Sequence, residues 1–172
     1  ERLLSCAAWA DKYDGAVHHT PLRTVTRAMP EAVGTIGIVC PDEAPLLAFV
    51  TLVASAIAMG NPVIAVPSER HPLAATDFYP VLETSDVPGG VVNIVTGARD
   101  ALAKVLAEHA DVDAVWYFGS AEGSALVERA SVSNLKQTWV SDGRPLDFAR
   151  FDARELLRHA TQVKNIWVPY GA

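Results

Sequence analysis

Cysteine is scarce in this chain: Cys6 and Cys40 are the only two in 172 residues, and no secretory or targeting signal is legible near Glu1. Two cysteines are no disulfide framework, and both are expected to be structural thiols. Cys40 ends an apolar strand-like run, where a free cysteine packs as a small hydrophobe. Long hydrophobic runs are also missing. The longest, Leu46 to Met59, is interrupted by Thr51 and Ser55 and falls short of the ~20 residues a membrane span needs, so a buried helix is expected there. Basic clusters are absent too, and the net charge is -6, which argues against a nucleic-acid partner. A small anionic cofactor is still compatible with that charge, because helix N-termini and backbone amides bind phosphate without basic side chains. The histidines are not spaced for a metal: His18 and His19 are adjacent on a strand and point to opposite faces, while His71, His109 and His159 stand apart at helix ends. No repeat or low-complexity tract occurs. The chain does not begin with methionine and is read as a segment of something longer.

What is present is an alternation of short apolar strands with helices. Residues 1–14 carry helical spacing stopped by Gly15, and residues 16–28 read as one half-exposed strand. Val33-Gly-Thr-Ile-Gly-Ile-Val-Cys40 is a continuously apolar strand ending at Pro41; Pro45 opens the apolar helix, and Gly60-Asn61-Pro62 closes it. Val63–Val66 is a second buried strand, followed by a helix from His71 to about Glu83. Val91–Val95, Ala114–Phe118 and Thr138–Val140 complete the strands, with helices over Ala101–His109 and from Ser120 to about Ala130. Residues 141–160 read as polar and helical, and Asn165–Val168 as a last short strand. Two-sided apolar strands separated by helices imply an α/β fold with a doubly wound parallel sheet covered on both faces.

Several blocks then become specific. Glu31-Ala-Val-Gly-Thr-Ile-Gly-Ile-Val39, Gly60-Asn-Pro-Val-Ile-Ala-Val-Pro-Ser-Glu69, Pro88-Gly-Gly-Val-Val-Asn-Ile-Val-Thr-Gly97 and Asp111-Val-Asp-Ala-Val-Trp-Tyr-Phe-Gly-Ser120 resemble, in order and spacing, the nicotinamide-binding strands of the aldehyde dehydrogenase superfamily. Trp9-Ala-Asp-Lys12 resembles the segment before that family's first oligomerisation strand, and Ala160-Thr-Gln-Val-Lys164 its C-terminal tail. The resemblance implies a Rossmann-like NAD domain with small β oligomerisation arms. It breaks after Gly143, where the family continues into a catalytic domain carrying the nucleophilic cysteine. Here some twenty residues lead directly to the tail, as in the degenerate C-terminal region of family 16 aldehyde dehydrogenases.

Compared position by position, the resemblance removes most of the family's chemistry. Neither cysteine stands in the nucleophile's context. Glu43, in Pro41-Asp42-Glu43-Ala44-Pro45, replaces the oxyanion-donating asparagine, and a carboxylate there would repel the developing charge. Ser141 stands at the general-base position, and its neighbour Asp142 reads as a solvated turn residue before Gly143. For the cofactor, Glu69 matches the residue that holds the adenosine ribose and favours NAD, and Gly119-Ser120 matches the turn by the pyrophosphate. Glu69 could equally be a helix-initiating acid ahead of His71, and Ser120 an ordinary N-cap. Val66 replaces a ribose-contacting lysine, and Arg99 and Ala103 replace two glycines, so that a side chain could fill the adenine pocket.

The expectation is therefore three regions: an N-terminal helix and oligomerisation strand over 1–29, an NAD-binding-like domain over 30–145, and a C-terminal helix and oligomerisation strand over 146–172. The resemblance implies a cytoplasmic, non-catalytic domain with no catalytic residue of its own, partnered by another aldehyde dehydrogenase domain of the same polypeptide or by a second copy. NAD is the one cofactor it implies, with this segment expected not to hold it. Two alternatives stand beside this reading: an NAD-binding regulatory domain, and part of an active enzyme whose nucleophile lies elsewhere in the polypeptide.

Overall fold

A computed structural model describes residues 1–171. Its centre is a parallel sheet of β3 (Ile36–Val39), β4 (Val63–Val66), β5 (Val92–Ile94), β6 (Ala114–Tyr117) and β7 (Gln137–Val140), in the order β5-β4-β3-β6-β7. Each pair of neighbours is parallel and in register, for example Ile38 opposite Ala65 on one side and Trp116 on the other. β3 and β6 are buried along their whole length, which explains why they read as continuous apolar runs rather than as alternating ones.

Helices cover both faces. On one face α2 (Pro45–Ala58) packs Phe49, Leu52 and Ala56 on Ile36, Ile38, Ala65 and Trp116, joined by Leu156 and Ala160 from the C-terminal region. On the other, α5 (Arg99–Glu108) and α6 (Ala121–Ala130) pack Ala103, Leu106 and Val127 on Val39, Val66, Val115 and Tyr117. Period two along the strands divides the two cores: Trp116 faces α2 and Tyr117 faces α5. Burial of these apolar surfaces is the main stabilising term.

The chain order steps outward through β3, β4 and β5 and then returns across β3 to β6. That reversal opens a crevice at the carboxyl ends of β3 and β6, the position where doubly wound sheets take ligands.

Both chain ends combine in a separate three-stranded antiparallel sheet, ordered β1-β2-β8. It comprises β1 (Ala16–His18), β2 (Thr24–Ala32) and β8 (Thr161–Pro169), with β2 and β8 paired over nine residues from Thr24–Pro169 to Ala32–Thr161. The expected single strand over 16–28 is thus a hairpin, interrupted around Pro21, and β2 runs on past Pro30. Proline is tolerated there because β1 pairs no further than Ala28, so that side of β2 has no strand to bond.

Three helical expectations are also corrected. The first helix, α1 (Arg2–Ala10), stops short of Asp14. The helix expected from His71 to Glu83 is two short ones, α3 (Leu73–Thr76) and α4 (Tyr79–Glu83), because Pro80 enters near the start of the second and cannot donate into a continuous helix. Within 141–160 only α7 (Ala153–His159) is helical. The preceding stretch has no regular structure but buries Phe148 to 3 % exposure. Phe148 lies edge-on to Phe118 and stacks on Phe151, and Phe151 meets Trp139 edge-on. Arg2 on α1 holds this stretch by donating to the carbonyls of Phe148, Ala149 and Phe151. Asn61, fully buried, ties the terminal sheet to the core: its Nδ2 donates to Ala56 O and Ala160 O, and its Oδ1 accepts from Gly34 N.

Candidate functional site

The crevice at the sheet's carboxyl edge encloses about 380 Å³, between the loop after β3 (Asp42, Glu43), the turn after β6 (Gly119, Ser120) and the segment after β7 (Ser141, Arg144). Phe118 and Phe148 form its apolar wall. The fold therefore brings together the positions singled out in the sequence as oxyanion, base and pyrophosphate contacts.

Their chemistry differs from an open dehydrogenase site. Glu43 is exposed at the rim. Ser141 is buried, and its hydroxyl donates to Gly119 O at 3.3 Å, so it braces the turn after β6. Asp142 adopts a left-handed backbone with φ 53° beside Gly143 at φ 71°, an exposed turn aspartate. Cys40 is completely buried, and burial pushes its thiol up to about 12, with Arg99 opposing only weakly. A thiol held that high supplies no thiolate at neutral pH. Burial also raises Cys6, against a smaller opposing influence of Arg2.

Glu69, Gly119 and Ser120 lie where the sequence places them, at the carboxyl ends of β4 and β6, but each has an internal partner. Glu69 Oε2 accepts from Arg99 N at 3.1 Å, capping α5 rather than starting the helix after His71. Ser120 is the N-cap of α6, its Oγ accepting from Gly123 N at 3.0 Å. Val66 and Ala103 are core residues, 1 % and 0 % exposed.

Residues that the sequence reading did not single out organise the rest. Asp42 pairs with Arg99 through Oδ2, accepts from Ser68 Oγ at 2.6 Å and from Arg70 N at 3.4 Å, and lies 3.7 Å from Arg70 Nε. Partial burial pushes this carboxyl up, but the hydrogen bonds from Ser68, Arg99 and Arg70 outweigh it and hold Asp42 below its ordinary value. On the α5 face of the sheet, Tyr117 Oη donates to Asp100 Oδ1 at 2.7 Å. Tyr117 lies so close to Gly119 and Gly123 that a Cβ on either would fall 2.4 Å or 1.9 Å from its hydroxyl. The signal for Asp42 was present in the sequence as an arginine in a glycine's place: a largely buried guanidinium needs a carboxylate.

Comparison with known proteins agrees with this architecture. Residues 2–143 match the aldehyde dehydrogenase family, so the match ends at the glycine where the resemblance in sequence stops. Aldehyde dehydrogenase 1A1 of Equus caballus is 35 % identical over 152 residues, 88 % of this chain and 30 % of the relative. An aldehyde dehydrogenase of Agaricus bisporus is 33 % identical over 87 % of this chain and 30 % of its own length. Among solved structures, PnpE from Pseudomonas sp. WBC-3 superposes with TM-score 0.73 at 29 % identity, over 81 % of this chain and 29 % of that one. A betaine aldehyde dehydrogenase variant from Staphylococcus aureus, solved in complex with NAD+, gives TM-score 0.74 at 27 % identity, over 80 % and 28 %. The chain spans about 30 % of the length of the curated relatives it matches. With this sheet order, this crevice and a family match over 142 of 172 residues (2 to 143 inclusive), the chain belongs to the aldehyde dehydrogenase family.

Proposed function

We propose that this chain is a non-catalytic domain of a larger NAD-dependent aldehyde dehydrogenase, with a structural and oligomerising role. The observation that carries the reading is the terminal sheet. β8 pairs with β2 along one side and leaves its other edge free among the described residues. One face of the sheet carries Val17, Val25, Met29 and Val168, exposed to 68, 41, 41 and 48 %, with Arg27 and Lys164 set among them. A free edge strand beside exposed apolar side chains is a surface that natural proteins cover with a partner. Here the partner is another aldehyde dehydrogenase domain of the same polypeptide or a second copy.

The test replaces the cross-strand pair Val25–Val168 by V25E and V168K, which removes the apolar face yet keeps opposite charges across the ladder. Sedimentation should show that the parent protein loses its assembly state while its melting temperature is unchanged. A parent that assembles normally with both substitutions, with the isolated chain monomeric at high micromolar concentration, refutes the role.

A nucleotide-binding regulatory role is the second reading. The placement of Gly119 and Ser120 on the crevice wall is the observation in its favour.

A further inference from the structure

We propose that the nucleotide crevice is self-liganded: Arg99, Asp100 and Tyr117 satisfy, from within the chain, the contacts a dinucleotide would otherwise make. This goes beyond the oligomerising role and rests only on the family's fold. Three observations converge on it.

One donor at each helix start is taken. The first amide of α5 is taken by Glu69, the carboxylate that the family resemblance assigns to a ribose, and Gly123 N of α6 is taken by Ser120. The space beneath the turn is filled. Tyr117, in the core, packs its ring and hydroxyl against Gly119 and Gly123, so the turn has no slack with which to open for a pyrophosphate. The charge is wrong. Asp100 sits in the first turn of α5, where it places a carboxylate at the mouth between α5 and α6 and already complements the helix N-terminus. A diphosphate laid there would meet that carboxylate.

The same groups also do what a bound cofactor does mechanically. Asp42 joins the loops after β3 and β4 to the start of α5 through Ser68, Arg70 and Arg99. Tyr117 joins the end of β6 to α5 through Asp100. These internal ties and a nucleotide making the same contacts therefore exclude one another.

Calorimetric titration with NAD+ tests this on three folded proteins: the unaltered chain, Y117F, and the double variant R99G with Y117F. The unaltered chain should give no binding heat at millimolar NAD+. Each opening step should increase the affinity, at least tenfold over the two together, with a rise in melting temperature on adding NAD+ that the unaltered chain lacks. Saturable binding by the unaltered chain overturns the proposal. So does a folded double variant that binds no better. Should the double variant not fold, Y117F decides alone, because it keeps the ring in the core and removes only the hydroxyl; no gain there overturns the proposal as well. The assembly state is read separately, so failure here leaves the oligomerising role standing, and the reverse.

Discussion

Removing the side chain of Phe148 tests whether the irregular stretch before α7 is a passive connection or part of the core. Phe148 is 3 % exposed and meets Phe118 edge-on, with ring centroids 5.9 Å apart, and Phe151 in a stack at 5.7 Å. Truncating a buried phenylalanine to alanine costs about 3–5 kcal/mol where the surroundings cannot collapse. Here the stretch is not in a helix or strand and can close partly over the void, so F148A should cost about 2–4 kcal/mol, including ~0.5–1.5 for the edge-to-face pair. For a chain of this length that is a fall in melting temperature of roughly 4–16 °C. Urea unfolding followed by far-ultraviolet circular dichroism and tryptophan fluorescence reads it as a lower midpoint at unchanged slope. Leu135, 88 % exposed, is the control, and L135A should stay within about 0.5 kcal/mol. A loss below about 1 kcal/mol for F148A would refute the reasoning, because the stretch would then contribute no more than a surface loop does.

Asn61→Ala deletes three hydrogen bonds at a fully buried site and strands the amide of Gly34 and the carbonyl of Ala160, so it should cost about 2–4 kcal/mol. Hydrogen exchange should accelerate first at the start of β8, which the asparagine ties down. His159 stacks flat on Trp139 at 3.9 Å, and burial, aided by the charge of Arg158, lowers its imidazole from 6.5 to about 4. The unfolded chain then takes up a proton near 6.5 that the folded one refuses. This contribution is therefore complete above that pH and falls away as pH drops toward 4. Partial exposure reduces the effect to about 1–2 kcal/mol, and thermal melts between pH 4.5 and 7 should show a slope that H159F flattens.

The parallel sheet was legible in the sequence because each of its strands is a local signal: Ile36–Val39 and Ala114–Tyr117 are apolar on both faces, whatever they pair with. The terminal sheet was less so. In β8, Gln162, Lys164 and Asn165 make an extended strand only because β2 lies alongside for nine residues, a pairing across more than 130 positions. Phe148 and Phe151 carry no periodicity, so nothing local marked their stretch as core. At the site, the substitution of Arg99 for glycine was visible, but its partner Asp42 lies 57 residues away. Glu69 could be read as ribose ligand or as helix starter; it caps α5, 30 residues on, a choice set by how β4 and β5 lie side by side.

The departures from the family pattern are not scattered. Glu43, Val66, Arg99 and Ser141 fall at or just beyond carboxyl ends of strands or at the helix start facing them, and Ala103 one turn into that helix, while the strand interiors keep the apolar runs of the resemblance. An open site is costly to a fold: it needs unfilled space, unpaired donors and glycines where packing side chains would stabilise. On the proposed non-catalytic reading, those costs are recovered by valine in the core at 66, an ion pair at Arg99 and a braced turn at Ser141. On that reading, loss of the chemistry and repair of the sheet's open end are one physical process. The exposed valines and methionine on the terminal sheet are the exception that such repair would have removed, unless a partner covers them.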